Sequence, residues 1–388
     1  MPALASEQAA GVDKEKEKEP WVLPQRKLGK TGVNVSILGQ GAAFAITTRH
    51  LNVMHSVGVR YIDTAKAYLR GGSERALAKW FNGNGHRKDY FVVTKDEVRD
   101  PKRWMSQVDE RLETLETDYV DAFFLHGLGD SDFFGLEDAR EILASREWAK
   151  AADAIRSSGK CRFFGFSSHT TPIEVRSGVL EAAAGGSWVD AILVAADPIT
   201  IRDNKQFNNA LDACHKAGIG LISMKECRTK GEGMERIFPT FSEKGLTPFT
   251  AVLTAMWTDE RFSVVCSHMD NLEKLRENAA AAKNFKPLTD KEITDVHAMI
   301  EGGKRRFCLA CDGSCRRAAG TKADLNRIAR YVHYAEADGR VYEARELLAA
   351  MALEDRDWSG ADLEAASHAC KSNLDFASIL KRAEELLV

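Results

Sequence analysis

Four residues at the ends of short apolar runs carry the groups needed to move a proton. "RYIDTAKAYLRGGSE" ends a buried-looking run on Asp63 and follows it with Tyr68, "FVVTK" ends on Lys95, and "FFLHG" ends on His126. Each has an ordinary explanation: a carboxylate capping a helix near Ala65, a packing phenol, a lysine reaching solvent along its stem, a satisfied core histidine. Together they describe an acid. A phenol with a reference pKa of about 10 stays protonated at neutral pH, and a neighbouring ammonium lowers that pKa and eases proton release. Asp63 would hold Lys95 charged and oriented, and His126 would direct a hydrogen bond at a substrate oxygen. The set suits giving a proton to a carbonyl oxygen while its carbon takes a hydride, which a nicotinamide supplies most economically.

Such an assembly requires elements that deliver the four side chains to one place. Eight strand-like runs recur along the chain, starting at Val35, Arg60, Tyr90, Val120, Cys161, Val189, Ile219 and Phe262. Amphipathic stretches separate them, as in "PKRWMSQVDERLETLETD" with Trp104, Val108, Leu112 and Leu115 at helical spacing. Strands apolar throughout, each followed by a helix, imply a parallel sheet covered by helices, and eight such units predict a closed (β/α)8 TIM barrel. The rival, an open doubly wound sheet, lacks a Gly-x-Gly-x-x-Gly turn after any early strand. Barrel enzymes keep their chemistry at the C-terminal strand ends, so Asp63, Lys95 and His126 would meet at one rim beside Tyr68. Upstream, "QRKLGKTGVNVSIL" predicts a hairpin that plugs the barrel floor.

Composition fixes the surroundings. The 388 residues are 44% hydrophobic and 29% charged, enough for one large domain and a smaller one, and the formal net charge of -3 argues against a nucleic-acid partner. No run approaches a membrane span of about 18 apolar residues. Residues 1–20, rich in alternating Lys and Glu, read as a solvated, disordered tail rather than a signal peptide, so a cytoplasmic location is expected. The expected boundaries are a barrel over 21–287 and a helical extension over 288–388.

These motifs resemble the aldo/keto reductases, NAD(P)H-dependent barrel enzymes that interconvert carbonyls and alcohols. The resemblance runs from about Leu23 to Ala282 through "LGKTGVNVSILGQG", "DTAKAY", "GGSERAL", "FVVTK", "LETDYVDAFFLH", "GKCRFFGFSS", "GIGLISMK" and "NLEKLREN". It implies a catalytic tetrad of Asp63, Tyr68, Lys95 and His126, with Tyr68 as general acid/base and a small carbonyl compound as substrate. For the cofactor, NADP in preference to NAD, it implies contacts from Gly41, Asp63, Ser167 and Ser168 around the nicotinamide end. Ser168 stands where the family commonly has Asn, Leu193 where it has Gln, and Met224 where an aromatic is frequent. Lys274 falls at the place of a cation for the 2′-phosphate, with Glu277 and Asn278 at the adenine, and Lys225 and His268 are further phosphate candidates. Lys274 reads equally well as part of a solvated helix face.

The final hundred residues pose a second chemistry. "FCLACDGSCRRAAG" carries Cys308, Cys311 and Cys315 at a spacing from which thiolates can converge on one metal, and Cys370 lies downstream. A subset of the family carries a C-terminal ferredoxin-like extension, which this segment resembles in reduced form. One [4Fe–4S] cluster on the four cysteines is expected, against a structural zinc or a metal-free remnant, and with it a possible redox partner protein. Cys161, Cys214, Cys227 and Cys266 read as small buried apolar groups. Phe133, Phe134 and Trp148, after the fourth strand, could line a substrate pocket or equally pack inward. Two further readings stand beside the reductase: a nucleotide-binding sensor or scaffold that has lost catalysis, and an iron–sulfur redox protein.

Overall fold

A computed structural model describes residues 22–84, 86–130, 134–169, 172–227, 229–230, 239–302, 304–305, 308, 313–337, 339–370 and 374–388. The tail over 1–20, Phe133 and Cys311 lie outside the described residues. Eight parallel strands close into a barrel: Leu38–Gly41, Tyr61–Asp63, Phe91–Asp96, Val120–Leu125, Cys161–Ser168, Ala191–Ala195, Gly220–Met224 and Phe262–Ser267. Each pairs with the next in sequence, and the eighth returns to the first through Val265↔Leu38, Cys266↔Gly39 and Ser267↔Gln40. This is the expected TIM barrel, with helices outside every strand.

Alternation along each strand decides what fills the ring. Tyr61, Phe91, Val93, Ala122, Phe124, Ala191, Leu193, Ile222, Val264 and Cys266 form one apolar cluster in the lumen. Tyr61 stacks on Phe91 at 5.6 Å between ring centroids, and Phe91 stacks on Phe163 at 6.1 Å, so aromatic surface spans the interior. The predicted hairpin is present as Gln25–Lys27 paired with Asn34–Ser36. Its Leu28 and Val35 join the lumen cluster and close the floor. Gly220 makes room, because a Cβ there would meet Leu28 Cδ1 at 2.5 Å.

The helix Pro101–Leu115 shows how pattern becomes packing. Asp100 caps it by accepting from Lys102 N at 2.9 Å, Pro101 occupies its first turn, and Trp104, Val108, Leu112 and Leu115 are buried. Trp104 meets Trp148 at 5.1 Å, Phe164 at 4.9 Å and Trp188 at 5.5 Å, all edge to face. Trp148 is therefore a core residue, and Phe134 is also buried in the barrel core; of the two possibilities for this loop, inward packing holds for both.

The C-terminal helices are present. Asp290–Gly302 packs on barrel helices through Val296, Met299 and Ile300, which share a cluster with Ile199, Ala251 and Val252. Beyond it, Leu325–Ala337, Val341–Ala350 and Phe376–Leu387 build a core of their own around Leu325, Ile328, Leu348, Phe376 and Leu380. No described helix is long and apolar enough to cross a membrane.

Beneath the loops after the second and third strands lies a buried polar network. Glu74, fully buried, accepts from Thr94 Oγ1 at 2.6 Å and from Arg111 Nη1 at 2.9 Å. Arg111 Nε also lies 3.7 Å from Asp96. Glu74→Ala leaves a buried guanidinium short of its main counter-charge and is expected to cost about 3–5 kcal/mol, read as a lower denaturant midpoint at unchanged slope.

Candidate active site

The lumen pattern carries directly into the rim. Asp63 lies two residues beyond Tyr61, Lys95 two beyond Val93 and His126 two beyond Phe124, so all three continue the inward-facing rows at the C-terminal mouth. Asp63 does not cap a helix. It accepts from Lys95 Nζ at 2.5 Å, and the same ammonium donates to Thr64 O at 2.8 Å. Tyr68 sits in the turn that follows, its ring centroid 4.9 Å from Lys95 Nζ and 6.0 Å from the His126 ring. The structure thus brings all four predicted residues together. The turn is backbone-strained: Leu69, Arg70 and Gly71 are consecutive left-handed residues at φ 52°, 53° and 78°.

Burial dominates the electrostatics. It pushes Tyr68 up to about 12; Lys95 opposes the rise and Asp63 adds to it. The expectation that the ammonium leaves the phenol below its ordinary pKa is therefore corrected, because desolvation of a phenolate outweighs one cation already shared with Asp63. His126 is held well below the usual histidine range by burial, then by Lys95, Arg340 and Lys225, and is a neutral imidazole. For Lys95, burial works against the charge, but Asp63 and Tyr68 more than offset it and the pKa lies above that of a free lysine.

The residues expected at the cofactor divide. Gly41 ends the first strand beside Ser267 and Cys266, within 4 Å of where its Cβ would be. Ser167 Oγ is engaged by Gly127 N at 3.0 Å, whereas Ser168 Oγ is buried with no hydrogen-bond partner among the described residues. Asn278 donates to Ser267 Oγ at 3.1 Å, and its buried Oδ1 has no hydrogen-bond partner among the described residues. These two buried polar atoms suit a ligand offering amide and amino groups, as a nicotinamide dinucleotide does. Leu193 and Met224 face the lumen as apolar neighbours, and Lys225, partly buried, takes a left-handed φ of 59°. Lys274 pairs with Asp270 at 2.8 Å on an exposed helix face, and Glu277 accepts from Thr247 Oγ1. His268 meets Phe44 edge to face at 5.4 Å.

Two groups at the mouth escaped the sequence reading. His169 follows Ser167 by two residues, its ring 6.0 Å from that of His126, and its Nδ1 is buried without a hydrogen-bond partner among the described residues. The inward parity of the fifth strand was the available signal. Arg340, from the extension, acts on both Tyr68 and His126, and nothing in the sequence pattern announces a contact over that separation.

The cysteines of the extension share one place. Cys315 and Cys370 are buried in the extension core, Cys308 packs against it, and Ser314 Oγ donates to Ala369 O at 3.0 Å, drawing the segments together. Tetrahedral zinc holds thiolate sulfurs about 3.8 Å apart. The only group of three close candidate metal ligands among the described residues is His55, His86 and Asp89; Cys311, the remaining member of the expected cysteine set, lies outside them. Cys161, Cys214 and Cys266 are buried and Cys227 is partly buried, as expected of small apolar groups.

Residues 38–228 match the model of the Aldo/keto reductase family. The chain is 25% identical over 314 residues to an uncharacterized oxidoreductase, YqkF, of Bacillus subtilis, covering 69% of this chain and 94% of that protein. It is 26% identical over 314 residues to L-galactose dehydrogenase of Arabidopsis thaliana, covering 71% and 94%. Among solved structures, the holo form of aldo-keto reductase AKR11C1 from Bacillus halodurans superposes with a TM-score of 0.57 at 19% identity, over 71% of this chain and 96% of that one. That likeness speaks for the barrel alone. Taken with the family model and the sequence relatives, it places this chain in the aldo/keto reductase family of oxidoreductases.

Proposed function

We propose that this protein reduces an aldehyde or ketone to the alcohol with NADPH, and that Tyr68 is the general acid. The convergence of Tyr68, Lys95, Asp63 and His126 at one mouth of the barrel carries the proposal. Bound nicotinamide would supply the hydride. As charge develops on the carbonyl oxygen, Tyr68 Oη gives it a proton, and the Lys95 ammonium stabilises the phenolate left behind. Asp63 keeps that ammonium charged and aimed at the phenol. His126, neutral, aligns the oxygen through a ring N–H. Ser168 and Asn278 would hold the two ends of the dinucleotide through their unsatisfied atoms. Lys274 would meet a 2′-phosphate only by sharing it with Asp270, so NADP over NAD rests on family membership more than on this helix face.

Leu193 supports a second reading, a barrel that binds the nucleotide without efficient turnover. An apolar side chain fills the place where the family commonly presents Gln, and it can fix no carboxamide. We also propose that Cys308, Cys311, Cys315 and Cys370 hold one [4Fe–4S] cluster whose role is to fasten the extension, supported by the shared location of the three described cysteines. No hydride chemistry passes through it.

Tyr68→Phe removes the acid while keeping the ring, so kcat for carbonyl reduction is expected to fall by roughly 10²–10⁴ with NADPH binding retained, followed by nucleotide fluorescence. Unchanged turnover would exclude Tyr68; binding without turnover by the unmutated protein, across a broad carbonyl panel, would favour the second reading. With Tyr68 at about 12 and His126 held neutral, neither group ionises between about pH 7 and about pH 10, so kcat/KM for reduction should stay flat there. A steep loss centred near pH 8 would point to a different acid. Protein purified anaerobically should contain iron and acid-labile sulfide in equal amounts, both lost in Cys370→Ser; iron-free, colourless protein would remove the cluster.

A further inference from the structure

The end of the barrel opposite Tyr68 holds a second group of side chains fit for chemistry. His55 lies in the last turn of the helix Thr48–Ser56, which leads into the second strand, and His86 and Asp89 bound the single turn that leads into the third. In a 3₁₀ turn residues i and i+3 eclipse, so His86 and Asp89 face each other, with Nδ1 3.0 Å from Oδ2. The His55 ring stacks on that of His86 with 4.0 Å between centroids and 26° between planes. Each of the three residues brings one ligand atom within 4.8 Å of the other two.

Aromatic packing accounts for part of this. Trp80, fixed by donating from Nε1 to Asn52 Oδ1 at 2.7 Å, meets the His86 ring at 5.6 Å and the His55 ring at 6.2 Å. Packing on an indole gives no reason for a carboxylate to join the two imidazoles. Their hydrogen bonds supply one. His55 Nδ1 is hydrogen-bonded to the buried Tyr90 Oη at 3.0 Å, and a histidine that spends one nitrogen on a neighbour presents the other to a metal in a fixed direction. The 3.0 Å between His86 Nδ1 and Asp89 Oδ2 is close to the edge of a tetrahedron with metal–ligand bonds of about 2.0 Å, roughly 3.3 Å. The side chains of His86 and Asp89 are 33% and 50% exposed, and His55 and Asp89 line a cleft of about 550 Å³, so water reaches the remaining coordination positions.

We propose that His55, His86 and Asp89 bind one divalent transition-metal ion, zinc before others, at the floor of the barrel. Two imidazoles and one carboxylate suit zinc, cobalt or nickel, whereas magnesium and calcium take oxygen ligands. Arg60, whose guanidinium donates to His55 O at 2.8 Å, places a positive charge nearby and weighs further against an ion held by field alone. The ion is structural. It ties together the entries of the second and third strands, where Phe91 N already donates to Arg60 O at 2.8 Å, and the far ends of the same two strands are joined by Asp63 and Lys95.

The test uses the full-length protein, stripped of metal with a chelator, and Co2+ as the probe. Held by nitrogen and oxygen, Co2+ gives visible d–d bands without the near-ultraviolet sulfur-to-metal absorption that the cysteines of the extension would add. Those bands should appear in the unmutated protein and equally in Cys370→Ser, and should be abolished by Zn2+ but not by Mg2+. The Kd read from them should rise roughly tenfold to a hundredfold in Asp89→Asn and at least as much in His86→Gln, both at partly exposed positions. Absence of a cobalt spectrum free of thiolate absorption, or one with the same Kd in both variants, would overturn the inference. No arm of the test requires turnover, so its outcome is separate from that of the reductase reading.

Discussion

The ion pair between Lys95 and Asp63 is the interaction around which the mouth of the barrel is arranged. Both groups are buried, at a depth where a lone charge would be expensive, and each is tolerated because the other stands 2.5 Å away. The pair fixes the second and third strands to each other at their C-terminal ends and gives the adjoining turn a charged surface on which Tyr68 rests. Glu74, Thr94 and Arg111 brace the same two loops from below. A strained turn, three residues long in the left-handed region, persists because it is held on both sides.

Much of this was legible in the chain because a parallel barrel imposes two simple rules. Strands covered on both faces read as unbroken apolar runs, and a polar residue ending such a run stands out. The inward row of the second strand passes from Tyr61 to Asp63, and that of the fourth from Phe124 to His126, so parity alone places their side chains. What parity does not report is energy. The neighbouring ammonium was visible at Lys95, but the depth of burial that lifts Tyr68 to about 12 depends on every layer above and below it. Local pattern also failed where contact is distant: Arg340 follows Tyr68 by hundreds of residues, and its place at the mouth comes from how one helix pair lies on the barrel. Trp148 was ambiguous for the same reason, since an aromatic beside a rim loop serves a pocket or a core according to which tryptophans it meets.

The extension changes how the site should be pictured. A bare barrel would offer its strand ends to solvent and leave selectivity to its own loops. Here a second apolar core, separate from that of the barrel, carries the helix Val341–Ala350, whose Glu346 pairs with Arg70 in the turn after Tyr68. Leu193 and Met224, by contrast, bring apolar surface to the lumen.

Closure of the ring has a consequence for biosynthesis. The seam joins residues near the two ends of the barrel: Leu38 pairs with Val265, Trp257 Nε1 donates to Ile37 O at 2.9 Å, and Arg26 donates to the carbonyl of Phe262 at 2.8 Å. None of these contacts can form until more than two hundred residues have left the ribosome, so the first strand must wait with one edge unpaired. The floor is in the same position: Lys30 N donates to Gly218 O at 2.6 Å and Arg26 reaches Phe262, so the N-terminal hairpin too finds its seat only after the seventh and eighth strands have emerged.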